Sequence, residues 1–387
     1  MATVALPRPI FDDSHDEFRN VVKRFVEREV TPHRESWIEA GRVDRSLFQK
    51  AAETGLLGIN APEEFGGGGM ADFRYNAIII EEFARAGATD VSMSISGEND
   101  LVAPYLSTFG TPQQNERWLA PMLAGEKIGA IAMTEPGTGS DLAAIKTSAI
   151  LDGDEFVLNG AKTFISSGLL ADFFIVAVRT DPDAGRKGIS LLIVDAKAAG
   201  FTRSGPLKKI GLPAQDTAEL SFADVRVPRA NVLGGEGAGM KNMRQNLAIE
   251  RLSIAITSMA RMRATFEQAL SYATERRAFG ERIADFQANR FYLAELATEI
   301  EITQTFVDRC IMDASEHKMD EVTGAMVKWW TTELHQRVIQ RALQLHGGYG
   351  FMREYPVAND YMDSRVATIF GGTTEIMKEI IGRRLTR

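Results

Sequence analysis

Phe173-Phe174-Ile175-Val176-Ala177-Val178 and Ile189-Ser190-Leu191-Leu192-Ile193-Val194 are two short apolar runs bounded by Gly, Asp and Pro. Runs of this length between turn residues read as strands. Ala218, Leu220 and Phe222 then alternate with polar neighbours, and Val225 and Val227 follow before Pro228. That alternation predicts a further strand with one buried face. Residues 126–235 are therefore read as a small central β-domain.

On either side the period changes. Within residues 1–125, Phe18, Val21, Val22, Phe25 and Val26 recur at helical spacing, as do Ile78, Ile79, Phe83 and Ala86. Gly66 to Gly69 interrupts them and reads as a flexible turn. Gly234-Gly235-Glu236-Gly237-Ala238-Gly239 marks the second boundary. Residues 236–387 carry long helical patterns, one with Leu293, Leu296, Ile300, Val307 and Cys310 on a stripe. Val322, Met326 and Trp329 form another, with Trp330, Leu334 and Val338 beside it. Helices, then strands, then helices predict a mainly helical α+β chain and argue against a doubly wound sheet. The expected layout is an N-terminal helical domain, a central barrel-like or sandwich β-domain and a C-terminal four-helix bundle.

Composition narrows the function. The chain has 387 residues, enough for two or three domains with their own cores. With 52 acidic against 44 basic residues the net charge is −8, which disfavours general nucleic-acid binding. Local Arg and Lys residues can still hold a small polyanion. One cysteine, Cys310, permits no intrachain disulfide or thiolate metal site, and the five histidines lack ligand spacing, so no metal is expected. No apolar run is long enough to span a bilayer, and residues 1–13 lack the features of a secretory signal or an Arg-rich presequence. A cytoplasmic protein, or the mature form of a trimmed one, is the expectation.

Several glycine clusters invite a nucleotide-binding reading and fail it. Gly137-Thr138-Gly139 would need glycine where Leu142 stands, Gly235 and Gly237 would need it at Met240, and no Gly-Lys-Ser/Thr ending exists. Met133-Thr134-Glu135-Pro136-Gly137-Thr138-Gly139-Ser140-Asp141 is more distinctive. Its small residues would let backbone N–H groups approach a flat polar ligand, although a surface turn fits the same residues equally well. The stretch closely resembles the acyl-CoA dehydrogenase signature. Five further segments resemble the same family in the same order: Lys162 to Ser166, Lys209 to Pro228, Glu275 to Gly280, Gln344 to Gly348 and Gly371 to Glu375.

The resemblance implies an FAD enzyme that draws an α,β double bond into an acyl-CoA thioester. It further implies a homotetramer that passes electrons to an electron-transferring flavoprotein, with fatty-acid β-oxidation as the expected setting. By residue-by-residue match, Ile131, Ala132, Met133, Thr134, Gly139, Ser140, Phe164, Ile165 and Ser166 would line the flavin. The family more often has Trp where this chain has Phe164, which keeps an aromatic face. Arg276, Phe279, Gln287, Gln344, Leu345, His346, Gly347 and Gly348 would hold the ADP end for a neighbouring subunit, and Thr373, Thr374 and Glu375 would close the cofactor site. The guanidinium of Arg276 suits a pyrophosphate.

The reaction needs a base for the α-proton, with hydride leaving the β-carbon for flavin N5. Many family members place a Glu near the C-terminus where this sequence has Gly371 in Phe370-Gly371-Gly372-Thr373. In the long-chain and isovaleryl branches the base comes from the first bundle helix, and Glu250-Arg251 resembles their Glu-Arg pair. Met243, Leu247, Glu250 and Ile254 share one helical face, so Glu250 interrupts an apolar stripe. Partial burial there would raise its pKa toward that of a base working near neutrality. The bland alternative is a structural ion pair. Gly371 would leave room for the carboxylate, and its N–H would polarise the thioester oxygen. Ser140, Ala248, Ile249, Arg251, Gly371 and Gly372 would lie along the substrate, with Lys187 as a contact for the coenzyme A portion. The placement leans toward the long-chain-like branch. A branched-chain, isovaleryl-like dehydrogenase, an oxygen-using oxidase on the same fold and a non-catalytic scaffold are the alternatives.

Overall fold

The computed structural model describes residues 5–386. The first part is helical: α1 (Asp13–Phe25), α2 (Arg34–Ala40), α3 (Ser46–Glu53), α4 (Arg74–Arg85), α5 (Thr89–Ser96), α6 (Ala103–Phe109), α7 (Pro112–Gln114) and α8 (Ala120–Leu123). Asp12 caps α1 through a capping box with His15, which satisfies N–H groups the first turn would otherwise leave open. The Gly66–Gly69 stretch is not the flexible turn expected. Gly67, Gly68 and Gly69 donate to Pro62, Gly58 and Ala61 carbonyls, and a Cβ on Gly67 would collide with the Ala61 carbonyl. Glycine is there for close approach.

A curled sheet follows: β1 (Gly129–Ala132), β2 (Ser148–Asp152), β3 (Glu155–Ser166), β4 (Phe173–Arg179), β5 (Ile189–Asp195), β6 (Phe201–Ser204) and β7 (Thr217–Pro228). β1 pairs in parallel with Phe173–Val176 of β4, and Ser148 of β2 meets Arg179 at the end of the same edge. β5 covers the other edge of β4 in antiparallel register, and β2, β3, β7 and β6 continue the sheet antiparallel. The two apolar runs alternate between two cores, as period-2 side chains must. Phe173, Ile175, Leu191 and Ile193 face helices, packing with Tyr105, Trp118, Met122 and Met243. Phe174, Val176, Leu192 and Val194 face the strands β3 and β7 through Leu158, Leu220 and Phe222. Burial on both faces is why these strands are continuous apolar runs.

The last part is a helical bundle. α9 (Gly239–Glu275) is followed by a two-strand hairpin, β8 (Arg277–Ala278) and β9 (Glu281–Arg282), and then by α10 (Gln287–Ser315) and α11 (Glu321–His346). α12 (Pro356–Ser364) and α13 (Thr374–Leu385) complete it. Leu252, Ile256 and Met259 of α9 pack with Leu296, Ile300, Val307 and Cys310 of α10 and with Leu334 and Val338 of α11. Phe73, Ala77 and Ile80 from the N-terminal helices enter the same core. Val322, Met326 and Trp329 instead cover Met377 and Ile381 of α13. Trp330 stays partly exposed and donates its indole N–H to Thr303 Oγ1 at 2.8 Å. Among the described residues no helix is long and apolar enough to cross a membrane.

Candidate active site

Backbone strain marks one wall of the site. β3 runs antiparallel to β7, but the register slips between Lys162 and Ile165. The irregularity turns Phe164 outward, with φ 60° and 68% of its surface exposed. A phenylalanine in left-handed backbone and in water is costly twice over, and bulges commonly re-aim a side chain beside a functional site. Its neighbour Lys162 points the other way and is 0% exposed. The Lys162 ammonium donates to Met133 O at 3.0 Å and to Glu135 Oε1 at 2.9 Å. Glu135 also accepts from the N–H groups of Lys146 and Thr147. Thr163 N–H donates to Thr134 O at 2.9 Å. The Met133–Ser140 turn is thus braced from below, while Gly139 and Ser140 stay exposed and a Cβ on Gly137 or Gly139 would meet open space.

The second wall belongs to the bundle. Ile131 and Met133 pack against the core containing Met243 on α9. Two turns further along α9, about 10 Å by helical rise, stands Glu250. Burial pushes its carboxyl above the ordinary glutamate range, and Arg251 and Lys328 pull it part of the way back. Gly371 faces it: a Cβ there would lie 3.6 Å from Glu250 Oε1 and 2.5 Å from Ile254 Cδ1. Gly371 and Gly372 both hold positive φ, 62° and 96°, which glycine adopts without a Cβ penalty. Their carbonyls are held by buried cations. Arg251 Nε donates to Gly371 O at 3.4 Å and Lys328 Nζ to Gly372 O at 2.7 Å. Arg251 Nη1 is buried with no hydrogen-bond partner. Tyr105, wholly buried, donates to Met243 O at 3.5 Å, and burial with the Glu250 charge pushes its phenol upward.

A third group lies elsewhere. α9 and α11 run parallel, since Gly324 meets Ala248 at one end and Tyr272 stacks on His346 at 4.3 Å at the other. Arg276 and Gln287 are exposed near that far end, and Phe279, with φ 52°, is 97% exposed. Gln344, Gly347 and Gly348 are exposed there too, while Leu345 is half-buried and His346 is buried with Nδ1 2.7 Å from Ala342 O. From Lys328 to His346 is about 27 Å along α11. The residues assigned to the ADP end therefore stand far from Glu250 of the same chain. Thr373 caps α13 by accepting from Ile376 N–H, Thr374 donates to Glu333 at 2.6 Å, and Glu375 sits exposed in the first helical turn. Lys187 is exposed in a short turn whose carbonyl lies against Gly237, just before α9 begins. Ala248 is buried and Ile249 half-buried beside Glu250.

Sequence reasoning missed Lys328 and Tyr105. Lys328 sits between Val327 and Trp329 in a helix whose neighbouring turns hold buried Thr331 and Thr332. A lysine inside a buried stripe was the available signal. Among the described residues no three His, Cys, Asp or Glu side chains are grouped to hold a metal ion.

These residues fit a flat cofactor bearing phosphates. An exposed aromatic ring, a glycine turn with open space above it and an exposed arginine beside exposed glycines are what such a group would cover. The bundle wall also carries an unsatisfied buried donor, Nη1 of Arg251.

Comparison with known proteins is unambiguous at the level of family. Residues 12–126, 130–225 and 237–386 match the N-terminal, middle and C-terminal domains of acyl-CoA dehydrogenase, respectively. The long-chain specific acyl-CoA dehydrogenase of Rattus norvegicus mitochondria is 43% identical over 380 residues, 98% of this chain and 88% of that one. A caffeyl-CoA reductase–Etf complex subunit of Acetobacterium woodii is 35% identical over 97% of this chain and 99% of its own. The crystal structure of an acyl-CoA dehydrogenase from Geobacillus kaustophilus superposes with a TM-score of 0.93 at 44% identity, covering 97% and 99% of the two chains.

Proposed function

This chain belongs to the acyl-CoA dehydrogenase family of oxidoreductases, and we propose that within it the protein converts acyl-CoA thioesters to trans-2-enoyl-CoA, with Glu250 as the base. The observation that carries the reading is the pairing of Glu250 with Gly371: a carboxylate pushed toward higher proton affinity faces a position without a side chain. Members of this family are FAD flavoproteins. FAD, when bound, supplies the acceptor for the hydride that leaves the β-carbon. Ile131 to Thr134, Gly139, Ser140 and Phe164 to Ser166 would hold its flavin end. Arg276, Phe279, Gln287 and Gln344 to Gly348, at the far end of α9, would serve the ADP end of a neighbouring subunit's cofactor. That division supports an assembly of subunits, for which the homotetramer is the proposal and a dimer the alternative.

The chain's own residues divide the work. Glu250 takes the α-proton into its carboxylate, and its partial burial brings its affinity for that proton nearer to neutrality. Gly371 admits the thioester and offers its N–H to the carbonyl oxygen as negative charge develops there. Ala248, Ile249 and Arg251 flank the acyl chain on α9, Gly372 and Ser140 bound it, and Lys187 would meet the coenzyme A portion beside the start of α9. A base on the first bundle helix suits a long-chain-like enzyme. It equally suits an isovaleryl-like one, so branched acyl-CoA is the second reading. An electron-transferring flavoprotein is the proposed acceptor, and slow reoxidation of the substrate-reduced enzyme in air would support it against an oxidase.

Anaerobic bleaching of the yellow enzyme by a panel of straight and branched acyl-CoAs is the test. Bleaching by long straight chains, absent in Glu250→Gln, is expected. A Glu250→Gln enzyme that bleaches as fast as the parent would sink the base assignment.

A further inference from the structure

Beside Glu250 two cations are buried, and neither has a carboxylate within hydrogen-bonding distance among the described residues. Lys328 is 0% exposed, and among the described residues its ammonium donates one hydrogen bond, to the Gly372 carbonyl at 2.7 Å. Arg251 is 3% exposed and reaches only the Gly371 carbonyl. A buried lysine is ordinarily matched to a carboxylate because an unmatched charge is costly to desolvate. Local packing explains how this one arrives. Gly324 lets α11 lie against α9, since a Cβ there would come within 3.1 Å of Ala248 Cα. One turn later Lys328 is level with Arg251 and reaches past the helix pair to the glycine strap.

We infer that Lys328 is a positioning residue for proton abstraction, clamping Gly372 so that Gly371 stays opposite Glu250 and lending its unmatched charge to the ionised form of that carboxylate. The inference rests on Glu250 being the base. Arg251 on α9 and Lys328 on α11 act on the carboxylate, which in turn acts on Tyr105 of α6; Glu333 on α11 and Glu375 on α13 act on Lys328, and Glu321 at the start of α11 acts on Arg251. Burial brings the Lys328 amine down to about 8, so it is still an ammonium ion at neutrality. Removing a cation near a carboxylate favours the protonated acid, so the base would stay protonated to a higher pH than in the parent and recover as pH rises further.

The test compares Lys328→Met, which keeps the length and loses both clamp and charge, with Lys328→Gln, which keeps a donor, and Lys328→Arg, which keeps the charge. The acid limb of kcat/KM should move up by about one pH unit in the Met and Gln variants, a loss of about tenfold at pH values below it. Lys328→Arg should leave that limb near the parent's. If Lys328→Met does not fold, Lys328→Gln carries the test. A second readout needs no turnover: the Glu250 carboxyl band, assigned by its loss in Glu250→Gln, is titrated by difference infrared spectroscopy and should shift upward in parallel. Equal loss of rate at every pH, or an unmoved carboxyl titration, overturns the role of Lys328. Retained turnover in Glu250→Gln would overturn the base itself, which keeps the two failures apart.

Discussion

Lys162 and Lys328 are both fully buried, both brought down to about 8 by burial, and both donate to a backbone carbonyl of a glycine-containing turn. They differ in what neutralises them. Lys162 on the sheet wall has Glu135 at 2.9 Å, so its charge is spent within the protein and its work is to brace the Met133–Ser140 turn. Lys328 on the bundle wall donates to a carbonyl and has no carboxylate at hydrogen-bonding distance among the described residues, so its charge acts through space on Glu250 and on whatever enters beside it. Similar buried lysines thus serve rigidity on one wall and electrostatics on the other, and the carboxylate partner decides which.

The sharpest way to break this contrast is to remove the charge that Lys328 is said to support. Glu250→Gln should cost roughly a hundred- to ten-thousand-fold in turnover while the protein folds and keeps its flavin, read by steady-state rate and visible absorbance. The opposite signature is expected on the sheet wall. Lys162→Met strands the buried Glu135 carboxylate and should cost about 3 kcal/mol of stability, read by urea denaturation, with no shift in the acid limb of the rate. A shifted limb in that variant would erase the distinction between the walls.

Gly371→Ala probes the space between carboxylate and strap. Its Cβ would press on Ile254 Cδ1 in backbone at φ 62°, so a strain of about 1–2 kcal/mol is expected in the melting temperature. Its turnover should fall further than that figure implies, because the new methyl group stands 3.6 Å from Glu250 Oε1. The smallest effect is of opposite sign. Phe164→Gly relieves left-handed strain at an exposed position, so the flavin-free protein should gain up to about 1 kcal/mol while flavin retention weakens, measured by melting with and without FAD.

Acid should silence the enzyme earlier than an ordinary glutamate would. A carboxyl raised by burial must lose its proton before it can accept one, so kcat/KM should rise with pH through a value above the usual glutamate range near 4.3. An acid limb at or below that range would place the base elsewhere.

Much of this was legible beforehand, for identifiable reasons. Strands β4 and β5 are buried on both faces, so they read as unbroken apolar runs. Glu250 could be singled out because a carboxylate breaks the stripe of Met243, Leu247 and Ile254. Gly66–Gly69 misled, because a glycine run reads the same whether it is loose or packed against the Ala61 carbonyl. Val322, Met326 and Trp329 formed a visible stripe, but nothing in their spacing named α13 as its cover.

The sequence by itself determined the order of helical, sheet and helical parts, the family, and the candidacy of Glu250 opposite Gly371, because periodicity and motif are properties of the chain read in one direction. Only the tertiary structure decided that Phe164 leaves the sheet at a register slip, that Arg276 and His346 lie at the far end of α9 from Glu250, and that Lys328 meets Gly372. Spacing tells which residues share a face. What stands opposite that face depends on contacts between Lys328 and Gly372, 44 positions apart, and between Arg251 and Gly371, 120 positions apart, which no local pattern records.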